Sequence, residues 1–255
     1  YRGFEVVEMP PNTQGLAVLV ALNALEGYPL ERMTHSSSAY LHCLVEATKL
    51  ALRDAHLHVA DATDPALMER LLSKKRSQNL RAKIDAATQE WRGPLPLRDG
   101  SDTVYVAVVD EKENVVSMIS SLFKSFGSGI TVPGTGLLLQ NRGACFTLES
   151  GDANKLMPGK RPFHTIIPAM ILRDGKPWAC FGVVGGLMQA QGHIQIVCNL
   201  IDFEMNPQAA LDAPRFRVLE GGDVALETEI SEEAAMQLGS MGHRLRSDST
   251  EEGFG

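Results

Sequence analysis

Asp102-Thr103-Val104-Tyr105-Val106-Ala107-Val108-Val109 is the stretch on which the reading of this chain turns. Its β-branched and aromatic residues favour an extended backbone. Asp110 to Asn114 reads as a turn, and Val115 to Ser121 returns as a second strand, so the segment predicts a hairpin. Directly upstream, Gly93-Pro94-Leu95-Pro96-Leu97-Arg98-Asp99-Gly100-Ser101-Asp102 has the Pro and Gly density of an extended, exposed linker. Thr103 therefore opens a strand just after a linker. Its local reading is a β-former in a common place for threonine. A second reading is chemical. If the bond before Thr103 were cut, a free α-amine, with an unperturbed pKa of about 7.7–8.0, would stand beside the threonine hydroxyl. One residue would then supply both nucleophile and general base.

Working outward, the residues before the linker read as helices. Thr13 to Glu26 has apolar residues at helical spacing and stops at Gly27. Ser36-Ser37-Ser38 offers a cap for a long helix through Leu41, Leu44, Val45, Thr48, Leu52 and Ala55. Asp64-Pro65 is a start signal for a third helix carrying Leu67, Leu71 and Leu72, and helical character returns at Leu80 to Ile84. Beyond the hairpin, Gly136 to Leu139, Thr165 to Leu172 and Trp178 to Val184 read as strands, the last two joined through a turn at Asp174-Gly175. Helices follow at Gln189 to Ile201, Pro207 to Asp212 and Ser231 to Met241, the last stopping at Gly242. Helices, then antiparallel strands, then helices, is an α+β layered order. The βαβ alternation of a Rossmann-type sheet is missing.

Composition narrows the function classes. The 255 residues suffice for one large domain or two small ones, and 44% hydrophobic with 22% charged residues is a globular mix. Net charge is −7, and basic residues are concentrated only at Lys74-Lys75-Arg76, which reads as a solvated helix face; this argues against a nucleic-acid partner. The apolar-rich run Leu16 to Leu25 is interrupted by Asn23 and too short to span a bilayer, so no membrane partner is expected. Tyr1-Arg2-Gly3-Phe4 has neither a starting Met nor the layout of a signal peptide, which suggests that sequence is missing upstream. Cys43, Cys145, Cys180 and Cys198 have wide, irregular spacings and no CxxC pair, so they read as free thiols rather than zinc ligands. The compartment is not encoded here; the lack of disulfide logic leans to the cytoplasm.

Many separate segments resemble the γ-glutamyltransferase (glutathione hydrolase) family. Thr103 to Asp110, Asn114 to Ser121 and Phe126-Gly127-Ser128-Gly129-Ile130 are similar to the start of that family's small subunit. The similarity continues through Gly136 to Asn141, Pro158-Gly159-Lys160-Arg161-Pro162, Gly182 to Gly186, and Asn206 to Phe216. Upstream, Tyr1-Arg2-Gly3, Met9-Pro10-Pro11-Asn12 and Leu22 to Glu26 are similar to the last part of the large subunit. The resemblance thus covers nearly the whole chain in family order, as a divergent bacterial-type fragment. It implies an N-terminal-nucleophile (Ntn) hydrolase with an αββα sandwich of two antiparallel sheets flanked by helices. Residues 1–102 would be the mainly helical end of the large-subunit region and residues 103–255 the small-subunit-like region, together forming one domain.

By that resemblance the chain would cut itself between Asp102 and Thr103, leaving two associated pieces, and would act on amides through an acyl-Thr103 ester without metal or organic cofactor. Ser121 matches a hydroxyl that supports the nucleophile. Gly185 and Gly186 match a diglycine whose amides hold the oxyanion, a task suited to glycine because the backbone can approach closely. His164 and Thr165 fall where many members have a Ser-Ser pair facing the substrate's α-carboxylate. Departures bear on the substrate. Phe123 and Cys145 stand where an Asn and an acid commonly hold the α-ammonium, and Arg142 stands where Gln is common. Arg142 suits a carboxylate rather than an amine. Leu187 follows the diglycine where a polar residue is usual. The expected substrate is a small γ-glutamyl or related acyl amide. The alternatives are a cephalosporin-acylase-like amidase on the same scaffold, or an inactive truncated pseudoenzyme lacking most of the large subunit and the closing C-terminal strands.

Overall fold

A computed structural model describes residues 1–86, 102–246 and 253–255. Its core is built first from helices. Helix α1 (Gly15–Leu25) buries Leu16, Ala17, Val18, Val20, Ala21, Leu22, Ala24 and Leu25, so it is apolar nearly all round and runs through the core rather than over it. Helix α2 (Ser38–His58) packs beside it, and the Ser37 hydroxyl accepts from Tyr40 N at 3.4 Å to cap its start. The third helix of the sequence reading is α3 (Pro65–Leu71), capped by Asp64, and the weaker signal at Leu80 to Ile84 belongs to a full helix, α4 (Lys74–Ala86). The linker from Gly93 to Ser101 lies outside the described residues.

The hairpin forms as read: β2 (Asp102–Val109) pairs antiparallel with β3 (Val115–Phe123), with Thr103 opposite Ser121, Tyr105 opposite Ile119 and Ala107 opposite Ser117. Strand alternation sends Val104, Val106, Val108, Val116 and Met118 to the other face, where all are exposed. A second sheet has the order β1 (Glu5–Val7), β4 (Ala169–Arg173), β5 (Lys176–Phe181), all antiparallel, with the turn at Asp174-Gly175. The hairpin lies against the end of β5. A Cβ on Gly182 would fall 2.5 Å from the Tyr105 ring, so only glycine permits this approach.

Helix α5 (Met188–Ile201) follows at once, then α6 (Pro207–Asp212) with its Asn206 cap, a third sheet of β6 (Phe216–Val218), β7 (Val224–Leu226) and β8 (Leu245–Arg246), and α7 (Glu232–Ser240) between β7 and β8. Ser231 caps α7, and Gly242 at φ +97° follows its last turn, as the sequence predicts. The order is α+β. Within it, β7 and β8 make a parallel pair beside the antiparallel ladders. Three sequence expectations change. The strand read over Trp178 to Val184 runs from Lys176 to Phe181. Gly136 to Leu139 is no strand: Leu138 makes one isolated bridge to Thr131 within a turn-rich loop holding Gly134 and Gly136 at positive φ. Residues 165–168 precede β4 rather than belonging to it: the Thr165 carbonyl accepts from Gln14, the Ile166 N–H donates to His164 Nδ1 and the Ile167 N–H to Gln189 Oε1. Among the described residues no helix is long and apolar enough to cross a membrane. The four cysteines are free, three of them buried.

Candidate functional site

Thr103 sits at the head of β2, where a bulge between Asp102 and Thr103 breaks the regular register. The cross-strand pairing places Thr103 Oγ1 3.1 Å from Ser121 Oγ, donating to it. Ser121 Oγ also accepts the Phe123 backbone N–H at 3.0 Å. The two hydrogen bonds fix the direction of the threonine hydroxyl.

Phe123 ends β3 with φ +78°, an uncommon value for a side-chain-bearing residue, and its ring is buried. The Arg142 guanidinium lies over that ring, 5.0 Å from its centroid. Arg142 opens a short 3₁₀ turn through Cys145 and is only 1% exposed. Its Nη1 donates to Thr165 Oγ1 at 2.8 Å, while Nε and Nη2 are buried without a hydrogen-bond partner among the described residues. Burial lowers the guanidinium to about 10, which still leaves it charged at neutral pH, and raises the Cys145 thiol beside it to about 11, which leaves that group neutral.

The Thr165 carbonyl in turn accepts from Gln14 Nε2 at 2.6 Å, and the same nitrogen donates to the Gly186 carbonyl at 2.9 Å. A chain of contacts therefore runs from Thr103 through Ser121, Phe123, Arg142, Thr165 and Gln14 to the diglycine. Gly185 and Gly186 adopt φ +96° and +61°, and their carbonyls accept from Met188 N and Gln189 N at the start of α5. His164 is held by its backbone, donating to the Asn12 carbonyl at 2.9 Å and accepting from Gln14 N at 3.1 Å. Burial, with the Arg142 charge second, lowers its imidazole to about 4, and Nδ1 accepts from Ile166 N at 3.2 Å. His164 is thus a neutral group at physiological pH with Nε2 as its donor.

A cavity of about 190 Å³ adjoins this chain, lined by Gln14, Cys145, Phe163 and Leu187 with Leu52 and Ala55 from α2. Leu187 makes part of its apolar wall. The residues from the sequence reading thus fall into one region, and Gln14 is the member it missed. Gln14 lies 151 residues from Thr165, and its signal in the sequence was faint: a polar Asn12-Thr13-Gln14 run between two prolines and an apolar helix.

With that geometry in view, the comparisons with known proteins are consistent in direction. The family model described as gamma-glutamyltranspeptidase matches residues 1–255. The chain is 43% identical to the glutathione hydrolase-like YwrD proenzyme of Bacillus subtilis (strain 168) over 222 residues, covering 85% of this chain and 41% of that protein. It is 34% identical to the acylase ACY 1 proenzyme of Pseudomonas sp. (strain SE83) over 251 residues, covering 96% of this chain and 44% of that protein. The crystal structure of cephalosporin acylase from Bacillus halodurans superposes with a TM-score of 0.86 at 40% identity, over 100% of this chain and 46% of that one. The chain therefore spans less than half the length of each of these relatives.

Proposed function

Because this chain belongs to the gamma-glutamyltranspeptidase family, with an Ntn-hydrolase fold, we propose that it is the nucleophile-bearing portion of an autoprocessing amidohydrolase in which Thr103 is the nucleophile. The carrying observation is the contact between Thr103 Oγ1 and Ser121 Oγ at the bulged head of β2. Processing would begin with attack of the Thr103 hydroxyl on the Asp102 carbonyl, shifting the acyl group from nitrogen to oxygen. Water then hydrolyses the ester, releasing the Asp102 carboxyl and the Thr103 α-amine. In turnover that amine takes the hydroxyl proton as Thr103 attacks the substrate amide. The amide nitrogen leaves with a proton, and water hydrolyses the acyl-Thr103 ester. The diglycine turn at Gly185 and Gly186, pinned by Gln14, is the segment assigned to the oxyanion.

The two pieces would stay associated after the cut. Strand β1 is paired with β4, Tyr1 Oη donates to Asp202 at 2.6 Å, and Arg2 Nε donates to the same carboxylate at 2.9 Å. The acylase reading is favoured over γ-glutamyl specificity by one feature: Phe123 and Cys145 put no anion where a substrate α-ammonium would need one.

Mass spectrometry of the purified full chain tests the assignment. Two masses, split between Asp102 and Thr103, are expected, and Thr103→Ala should give one mass and lose turnover by roughly 10⁴-fold or more. A single mass after long incubation of the unaltered chain supports the pseudoenzyme reading instead.

A further inference from the structure

Glu8 and His193 form a buried pair for which the chemistry above has no use. Glu8 Oε1 meets His193 Nδ1 at 2.7 Å, and the two side chains are 1% and 0% exposed. The outer atoms, Glu8 Oε2 and His193 Nε2, are buried without a hydrogen-bond partner among the described residues, so the polar link of each side chain is to the other. Burial raises the Glu8 carboxyl, and the contact with His193 opposes that rise. The Phe181 ring packs on the imidazole, 4.6 Å away between centroids. The pair joins two segments that both reach the diglycine. His193 lies on α5, whose first amides, Met188 N and Gln189 N, donate to the Gly185 and Gly186 carbonyls. Glu8 opens the loop 8–14 between β1 and α1, and Gln14 at its far end donates to the same Gly186 carbonyl and to that of Thr165. The loop is folded on itself. Thr13 Oγ1 donates to the Met9 and Pro10 carbonyls at 2.8 and 2.9 Å, and a Cβ on Gly15 would fall 2.6 Å from the Met9 carbonyl oxygen and 2.8 Å from Glu8 Cβ. A loop so packed passes a shift at one end to the other. Glu8 and Gln14 precede Thr103, whereas His193 and Gly186 follow it, so these contacts cross the expected cut.

We propose that Glu8 and His193 are positioning residues for the diglycine turn: their pair fixes the loop 8–14 to α5 and so sets where Gln14 and the start of α5 meet the Gly185 and Gly186 carbonyls. A peptide unit is planar, with its N–H and C=O opposed. Holding those two carbonyls therefore also aims the Gly186 and Leu187 N–H groups that share their planes. Donors aimed in advance at a developing oxyanion lower the barrier of the chemical step rather than tightening substrate binding. The rate consequence rests on the Thr103 reading; the placing of the turn does not.

The test compares Glu8→Gln, Glu8→Ala, His193→Ala and the double alanine variant of the full chain, with γ-glutamyl- and glutaryl-p-nitroanilide as substrates. Turnover is counted per mole of chain cut before Thr103, measured by mass spectrometry. Each alanine variant should lower kcat about 10-fold with KM unchanged, and the double variant should fall no further, because the two residues act as one link. Glu8→Gln, whose amide oxygen still accepts from Nδ1–H, should stay within about 3-fold of the unaltered chain. Additive losses of about 100-fold in the double variant, or an unchanged kcat in every variant, overturn the proposal. Hydrogen exchange on a Thr103→Ala background removes the dependence on turnover. There Glu8→Ala should speed exchange of the Met188 and Gln189 amides about 10-fold, with the α2 amides changed less. No change at those two amides overturns the positioning role whatever Thr103 does, and so does an equal rise in α2, which would make the pair a general staple. Turnover surviving Thr103→Ala overturns the nucleophile reading and leaves the exchange result to decide the pair.

Discussion

Lys49 in the helical wall and Arg142 beside the hairpin are both buried cations, 3% and 1% exposed, and their surroundings differ in kind. Lys49 donates to Glu46 Oε1 at 2.9 Å and lies 3.4 Å from His243 Nδ1, while His243 Nε2 meets His42 Nδ1 at 2.8 Å. Every member of that cluster has its place between α2 and the turn after α7. Arg142 has a hydroxyl and an aromatic face, and its Nε and Nη2 have no hydrogen-bond partner among the described residues. A buried charge with a full set of partners fixes how elements pack. One without an opposite charge contributes less to how elements pack. The same contrast separates the two halves generally: α1 and α2 bury apolar residues almost continuously, while the hairpin exposes one valine-rich face and sets Thr103, Tyr105, Ser117 and Ser121 on the other.

The comparison is broken most directly by removing a charge from each half. Glu46→Ala strands the Lys49 ammonium and should cost about 3–5 kcal/mol of unfolding free energy, whereas Arg142→Met removes an uncompensated charge and should change stability by less than about 1 kcal/mol. Urea unfolding of both variants checks this, and equal losses would remove the distinction between them. A smaller effect is expected at Gln14. Gln14→Ala leaves the Thr165 and Gly186 carbonyls without their shared donor, costing roughly 1–3 kcal/mol. It should also lower kcat/KM by about 10-fold through loss of alignment between the Arg142 loop and the diglycine. A stability loss with no kinetic change would place Gln14 in the scaffold alone.

A further test is the pH dependence of stability. His243 is lowered to about 3, first by burial and then by the Lys49 and His42 charges, with Glu46 the opposing carboxylate at 3.6 Å. Below the unfolded value of about 6.5 the unfolded chain binds a proton that the folded His243 refuses, so stability falls as pH drops from 6.5 toward 3. His164, lowered to about 4, acts in the same direction on the site side. His243→Gln should lessen the fall of the urea midpoint between pH 6.5 and 4, with the His164 share of that fall remaining.

Local chemistry made much of this legible in advance. The Ser37 and Asp64 caps and the stop at Gly242 stand where propensity places them, because each is decided by a few neighbouring backbone groups. The hairpin and its Thr103–Ser121 register were legible because a turn and a period-two pattern specify pairing over short range. Strand β1, only three residues long, was not, since it exists by pairing with β4 far along the chain. Nor were β6, β7 and β8, whose shortness leaves no periodicity to read. Gly136 to Leu139 looked extended from its apolar run, yet Gly134 and Gly136, at positive φ at its start, bend it into a loop.

By itself, then, the sequence determined the family, the α+β order and the candidate nucleophile, because motif identity and local backbone preference are written in neighbouring residues. Only the tertiary structure decided that Gln14 joins Thr165 to Gly186, that Phe123 lies beneath Arg142, and that the Nε and Nη2 edge is buried and open. Those facts depend on which groups lose water together when distant segments pack, and desolvation is a property of the assembled neighbourhood rather than of any residue in it.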